Sequence, residues 1–285
     1  MHPDAWHLTD DIDDFLHLTG DFLRSRPTLH NMQLTVTEKL RAGAPEAAGA
    51  LFGRLEGAGG IHAAFYRLPA RGLAVTPLTP ERADSLAAHL AAHGHRLPYV
   101  SADEATATAF AEAWQRHTGA AATLRTRIRL YRLGALTPPQ PHPEGRGRAA
   151  GAQDHEQLVR WVGEFVDTVG EVPAVDAATW AGSRFADRHF TFWETPDGTP
   201  VSLAAVTTMT AGMVRVDPVY TPAHLRGRGY AGAVTAAVSR AALTAGATDV
   251  VLYADPANPT SNALYQRLGY VRVAEWAVYD FARTA

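Results

Sequence analysis

One stretch constrains this 285-residue chain more than any other: Met213 to Tyr270, and within it His224-Leu225-Arg226-Gly227-Arg228-Gly229-Tyr230-Ala231. A β-rich run, Met213-Val214-Arg215-Val216, leads into it through Asp217-Pro218 and Val219-Tyr220-Thr221. An Ala-rich segment with helical spacing, Tyr230 to Ala245, leaves it and closes at Gly246. Strand, glycine-rich turn, helix is an order with physical meaning. A helix N-terminus exposes backbone N–H groups that have no partner inside the helix. The aligned peptide dipoles add partial positive charge at the same place. Gly227 and Gly229 have no side chain to block an approach, so a phosphate can reach those donors. Arg226 and Arg228 add fixed charge at the mouth. The stretch reads as a pyrophosphate cradle; the plainer alternative is a tight turn into a core helix.

Two common cradles are excluded. A P-loop ends in Gly-Lys-Ser/Thr, which is missing here. A dinucleotide fingerprint needs Gly-x-Gly-x-x-Gly, and after Gly227-x-Gly229 the next residues are Tyr230, Ala231 and Gly232, out of register. Arg226-x-x-Gly229-x-Ala231 instead resembles the coenzyme A signature of the GNAT N-acetyltransferase superfamily. A second block agrees. Asn258-Pro-Thr-Ser261-Asn-Ala-Leu264-Tyr265-Gln-Arg-Leu-Gly269-Tyr270 is similar to that superfamily's later motif, Asn-x-x-Ala/Ser-x-x-x-Tyr-x-x-x-Gly-Phe/Tyr. Between the blocks lie a helix and a strand, Asp249 to Ala254, of suitable length. The resemblance covers about residues 148–285, and from Val219 to Tyr270 it is closest to glycine N-acyltransferase-like and related bacterial tandem proteins.

Composition bounds the rest. Net charge is −3 and evenly spread: residues 1–136 hold 14 basic and 14 acidic side chains, the remainder 12 and 15. No basic face stands out, which argues against nucleic acid as the main partner. There is no cysteine, so disulfides, thiolate metal sites and a Cys nucleophile are excluded. No apolar run reaches membrane-spanning length, and the N-terminus lacks a signal-peptide profile. The expectation is a soluble cytoplasmic protein without membrane contact, monomeric or homodimeric.

Along the chain, the spacing predicts helices over Asp11–Phe22 and Thr28–Arg41, with the Asp10, Asp11, Asp13, Asp14 cluster as a solvated helix start. Strands follow over Gly49–Glu56, Ile61–Leu68 and Leu73–Pro77. Then come a helix from Thr79 to His93, a strand at Tyr99-Val100, a helix over Asp103–His117 and a strand over Leu124–Leu133. Leu136 to Gly147 is too rich in Pro and Gly for a regular element. The later part reads as a strand near Arg148, helices over Asp154–Val169 and Asp176–Phe185, and strands over His189–Glu194 and Pro200–Thr208. The cradle unit comes next, and two strands over Val271–Val273 and Ala277–Phe281 close the sheet. This is the order of the GNAT fold, and the first half repeats it loosely.

The expected fold is therefore α/β (α+β). Two GNAT-like domains each have a mixed, mostly antiparallel sheet flanked by helices. The expected bounds are 1–136 for a degenerate N-terminal copy, 137–147 for a linker and 148–285 for the acetyltransferase domain. A single unrelated α+β cap is the alternative for the first half.

The resemblance also assigns roles. Acetyl-CoA is the cosubstrate. The backbones of Val219, Tyr220 and Thr221, on a strand that splays from its neighbour, pair with the pantetheine arm; the alternative is a plain edge strand. Leu225, Arg226, Gly227, Arg228, Gly229, Tyr230 and Ala231 hold the pyrophosphate. Asn258, with Ser261 in the same motif, contacts the pantetheine; a turn asparagine before Pro259 is the alternative. Tyr265 is the acid that protonates the departing thiolate, or else a core tyrosine. The general base is open: Asp255 is the first candidate, Glu275 and Glu194 follow, and a water chain or an already neutral amine would also serve. His89 and His93 are four apart with His95 beyond, but no third ligand is evident, and no metal is expected. The expected activity is acyl transfer from acetyl-CoA to an amine-bearing small molecule or peptide, by direct attack in a ternary complex. The alternatives are an inactive coenzyme A-binding sensor or partner-binding module, and a mycothiol synthase-like tandem enzyme.

Overall fold

A computed structural model describes residues 4–44, 48–69, 71–170 and 175–282. The chain divides into two units, at Leu130/Tyr131 and again at Arg272/Val273. The first therefore takes the N-terminal part and the last strand segment, and the second takes everything between.

The first unit opens with β1 (Ala5–Thr9), α1 (Ile12–Ser25) and α2 (Asn31–Arg41). It continues through β2 (Leu51–Gly57), β3 (Gly60–Leu68), β4 (Arg71–Val75), α3 (Pro80–Ala92), β5 (Tyr99–Asp103), α4 (Glu104–Thr118) and most of β6 (Ala121–Leu133). Strands β1 to β4 pair antiparallel in sequence order, and β4 pairs parallel with β5. The chain's last strand, β12 (Tyr270–Ala282), pairs antiparallel with β5 from Trp276↔Asp103 to Asp280↔Tyr99. Leu73, Val75, Leu86, Leu90, Phe110 and Trp114 form the centre of its core.

The second unit has a similar order of elements, with one α-helix where the first has α1 and α2. It runs β7 (Arg146–Ala149), α5 (His155–Val169), β8 (His189–Glu194), β9 (Pro200–Val206), β10 (Met213–Tyr220), α6 (Tyr230–Thr244), β11 (Asp249–Ala254) and α7 (Pro259–Arg267) into β12. Strands β7 to β10 are antiparallel, and β10 pairs parallel with β11. Alternation along β10 sends Val214 and Val216 to a core shared with α6 and α7. Tyr220 goes to the other face, with Trp161 of α5, Phe192 and Leu203. The small residues of α6 let it lie close to the sheet. A Cβ placed on Gly147 of β7 would sit 3.2 Å from Ala237. The mixed, mostly antiparallel sheets flanked by helices are those expected from sequence.

Several expected elements differ. β1 stands ahead of the first expected helix: Trp6 is buried and its indole N–H reaches Ser85 Oγ at 3.3 Å, a tertiary gain that a five-residue run does not advertise. α2 starts later, at Asn31. The helix expected over Asp176–Phe185 is only a 3₁₀ turn at Trp180–Gly182. Its start is held as a local turn, because Asp176 Oδ1 accepts from the N–H groups of Ala178 and Thr179. The two short final strands are one, β12. The stretch 137–147 lies inside the second unit and packs on α6: Pro139 approaches Gly232 and Pro143 approaches Gly229. Among the described residues no helix is long and apolar enough to cross a membrane.

Candidate active site

The site begins where two strands part. β10 and β11 pair from Met213↔Asp249 to Val216↔Leu252, and there the pairing stops. On its other side β10 steps from Val216↔Val206 to Val219↔Ala204, so Asp217 and Pro218 stand opposite Ala205 alone. Such a bulge bends the strand away from its neighbour. The segment 217–220 is left with backbone groups facing a gap, and backbone polar groups demand partners. Pro218 has no N–H to contribute.

The chain then makes a tight turn. Leu225 N–H donates to Pro222 O at 2.9 Å and Arg226 N–H to Ala223 O at 3.3 Å. Gly227 (φ 78°) and Gly229 (φ 81°) follow in the left-handed region that other residues avoid. Gly229 is the N-cap of α6. Among the described residues, none of the N–H groups from Gly227 to Gly232 donates to another group of the chain. Tyr230 and Ala231 open the helix, and Leu225 and Tyr230 pack on the core beneath. Arg226 turns back: its Nε donates to Thr221 O at 3.0 Å and so braces the turn. Arg228 reaches only His224 O, at 3.4 Å. Neither guanidinium meets a carboxylate among the described residues. The turn thus concentrates unspent donors and positive charge at a helix start.

The strand leading in is fixed by side chains of β9. Ser202 Oγ donates to Tyr220 O at 2.9 Å and lies 2.8 Å from Thr221 Oγ1. Val219 is half-buried against the α6 core. Tyr220 points to the α5 face, where its hydroxyl donates to Glu164 Oε2 at 2.6 Å. Burial first, then the carboxylate, push the phenol pKa up to about 12.

Past β11, the turn into α7 is tied by its own side chains. Asn258 Oδ1 accepts from Ser261 N–H at 3.0 Å and caps the helix; Ser261 Oγ donates to Asn258 O at 3.1 Å. Asp255 is exposed, and its Oδ1 accepts from Ala257 N–H at 2.7 Å. Asn262 Nδ2 donates to Asp255 O and Asn258 O, both at 2.6 Å, and Tyr131 O–H donates to Asn262 Oδ1 at 2.7 Å. Tyr265 is 8% exposed, edge-on to Tyr270 at 6.1 Å. Burial raises its pKa above the ordinary phenol range, and the charge of Asp217 adds to the rise. Tyr265 therefore keeps its proton until a strong base arrives.

Sequence reasoning missed the groups on the α5 face. Asp217 is hydrogen-bonded to Arg184 and lies 3.9 Å from Arg188. Burial alone would raise its pKa, but the guanidiniums of Arg184, Arg188 and Arg215 outweigh that and hold it below the usual carboxylate value. Arg188 is itself pulled down to about 10, chiefly by burial. One sign was visible: Arg215 and Asp217 are charges at alternate positions of an otherwise apolar strand. Two of the expected base candidates are tied elsewhere. Glu194 is buried and bonded to Arg148 at 2.6 Å, and Glu275 lies in the first unit, bonded to Arg129 at 3.1 Å. The rings of His89 and His93 lie 4.4 Å apart and tilted, and among the described residues no group of three side chains is placed to hold a metal.

A family described as FR47-like protein matches residues 201–278, the stretch from β9 to β12. No curated protein sequence matches the chain. Solved structures do. A GCN5-related N-acetyltransferase from Sphaerobacter thermophilus is 18% identical, with 100% of this chain and 98% of that one covered and a TM-score of 0.59. A tandem GNAT protein from the clavulanic acid biosynthesis pathway is 13% identical, over 99% and 100% of the two chains, with a TM-score of 0.60. A GCN5-related N-acetyltransferase from Kribbella flavida is 22% identical over 78% and 87%, with a TM-score of 0.53. The fold is that of the GNAT superfamily. In this fold the strands that part are β10 and β11, and the glycine turn from Pro222 to Gly229 follows β10.

Proposed function

We propose that the chain is an acetyl-CoA-dependent N-acetyltransferase whose second unit binds the cosubstrate and passes the acyl group directly to an amine. One observation carries the reading: pairing between β10 and β11 ends at Val216↔Leu252, beside a helix start whose N–H groups are unspent. A pantetheine arm supplies amide groups for the open edge at Val219, Tyr220 and Thr221. A pyrophosphate supplies oxygens for the N–H groups from Gly227 to Ala231, with Arg226 and Arg228 beside them. Asn258 and Ser261 shape the far side of the slot. Tyr265, protonated and buried, donates to the leaving thiolate. Asp255 borders the end of β11, and its carboxylate is occupied in the turn.

The test uses the absence of cysteine. Without protein thiols, coenzyme A release is read directly with a thiol reagent. A broad panel of amines with acetyl-CoA is expected to give thiol release above hydrolysis for at least one acceptor. A protein that binds acetyl-CoA but releases thiol to no amine is a sensor, and the enzymatic reading falls.

A further inference from the structure

The acceptor nitrogen must lose a proton, and the structure narrows where that proton goes. Asp217 borders the slot, but three guanidiniums hold it ionised, and a carboxylate so stabilised is a weak base. Asp255 is engaged in the turn before α7, Glu194 with Arg148, and Glu275 with Arg129 in the first unit. Asp154, in the turn before α5, is held by Arg148 at 2.8 and 2.9 Å. Glu164 differs from these carboxylates in being held by a tyrosine, Tyr220, rather than a guanidinium or a turn.

Tyr220 is the last residue of the open segment 217–220, on the face covered by α5. Its hydroxyl gives its own proton to Glu164 Oε2 at 2.6 Å, and of the phenol oxygen's two lone pairs the Arg226 guanidinium approaches one, which leaves the other as an acceptor. Glu164 is exposed on α5, so a proton delivered there can leave to water. Arg226, from the turn after β10, is the cation that faces the Tyr220 hydroxyl; Arg184, Arg188 and Arg215 are grouped around Asp217.

We propose that Tyr220 and Glu164 form the proton relay that serves as general base. The inference rests on the acyl-transfer reading above. The amine nitrogen attacks the thioester carbonyl carbon, and an N–C bond forms. As the tetrahedral adduct collapses, the C–S bond breaks and its electron pair leaves on sulfur. The nitrogen's proton moves to the Tyr220 oxygen while the Tyr220 proton moves to Glu164. The thiolate takes the proton of Tyr265. Glu164 then loses its proton to water and Tyr265 regains one, so the net change is amine plus thioester to amide plus thiol. A phenol whose pKa stands near 12 does not ionise by itself at neutral pH, so the two transfers are concerted.

The experiment uses the full chain, acetyl-CoA and the best amine from the panel. Glu164→Gln is expected to lower kcat about 10²–10³-fold with acetyl-CoA affinity and thermal stability unchanged. Glu164→Asp should recover part of the rate. Tyr220→Phe should repeat the loss, and it stands as the independent variant if Glu164→Gln folds poorly. Rates within about threefold of wild type, or no recovery of rate in Glu164→Asp, overturn the relay while leaving the transferase reading intact. A wild type inert towards every amine overturns both.

Discussion

The two units have similar orders of elements, and the difference that bears on a ligand lies at one turn. In the second, the strand before the helix parts from its neighbour after Val216, and six consecutive residues, 227–232, keep their N–H groups unspent among the described residues. In the first, β4 pairs with β5 at Leu73↔Val100 and Ala74↔Ser101, and the chain then closes on itself. Thr76 N–H donates to Ala64 O at 2.9 Å, and Thr76 Oγ1 accepts from Ala64 N–H at 3.0 Å. Leu78 N–H donates to Thr106 Oγ1 at 2.8 Å, and the same hydroxyl reaches Leu78 O at 3.3 Å. Thr79 Oγ1 caps α3 by accepting from Arg82 N–H at 3.4 Å. Pro77 and Pro80 carry no N–H at all. One turn spends its backbone groups internally and the other keeps them. A frame alone is not a site; what matters is which polar groups are left for a ligand.

Three measurements break or sharpen that contrast. The largest effect belongs to Tyr265→Phe, expected to lower kcat about 10²–10⁴-fold with acetyl-CoA affinity nearly unchanged. A variant turning over at the wild-type rate would make Tyr265 a core residue like its neighbour Tyr270. Next comes Arg226→Glu, which removes the brace on Thr221 O and puts a carboxylate beside the cradle. Acetyl-CoA should bind more weakly by roughly 1–3 kcal/mol. The same calorimetric titration on the wild type should give about one acetyl-CoA per chain; two equivalent sites would show that the first unit's turn is open after all. The smallest effect is on stability. Thr106→Ala strands the Leu78 N–H and should cost about 1 kcal/mol of unfolding free energy, with acetyl-CoA affinity unmoved. If binding followed that change, the closed turn would be part of a ligand site.

Much of the second unit was legible in the chain. The ends of β11 and the start of α6 fall where glycine, proline and the apolar runs put them, since those residues act through their own backbone. What stayed hidden depends on partners distant in sequence. Nothing in the spacing joins Glu164 to Tyr220, or Arg184 to Asp217. Asp176 looked like a helix start and makes a turn, because its side chain competes with the helix for the same N–H groups. That Arg226 Nε also braces the preceding strand at Thr221 O is not visible in the spacing. The expected divisions at 136 and 148 followed the prolines and glycines. Compactness divides the chain instead at Leu130/Tyr131 and Arg272/Val273, inside β6 and β12, and composition says nothing of which sheet a strand joins.

Those divisions inside strands have a genetic consequence. A gene split at the proline-rich stretch 137–147 would encode two incomplete polypeptides. One would lack residues 273–282, the strand segment that pairs with β5. The other would lack Tyr131, whose hydroxyl donates to Asn262 one turn before Tyr265 in α7. Neither polypeptide would hold a complete unit, so the split that the prolines suggest does not separate the two.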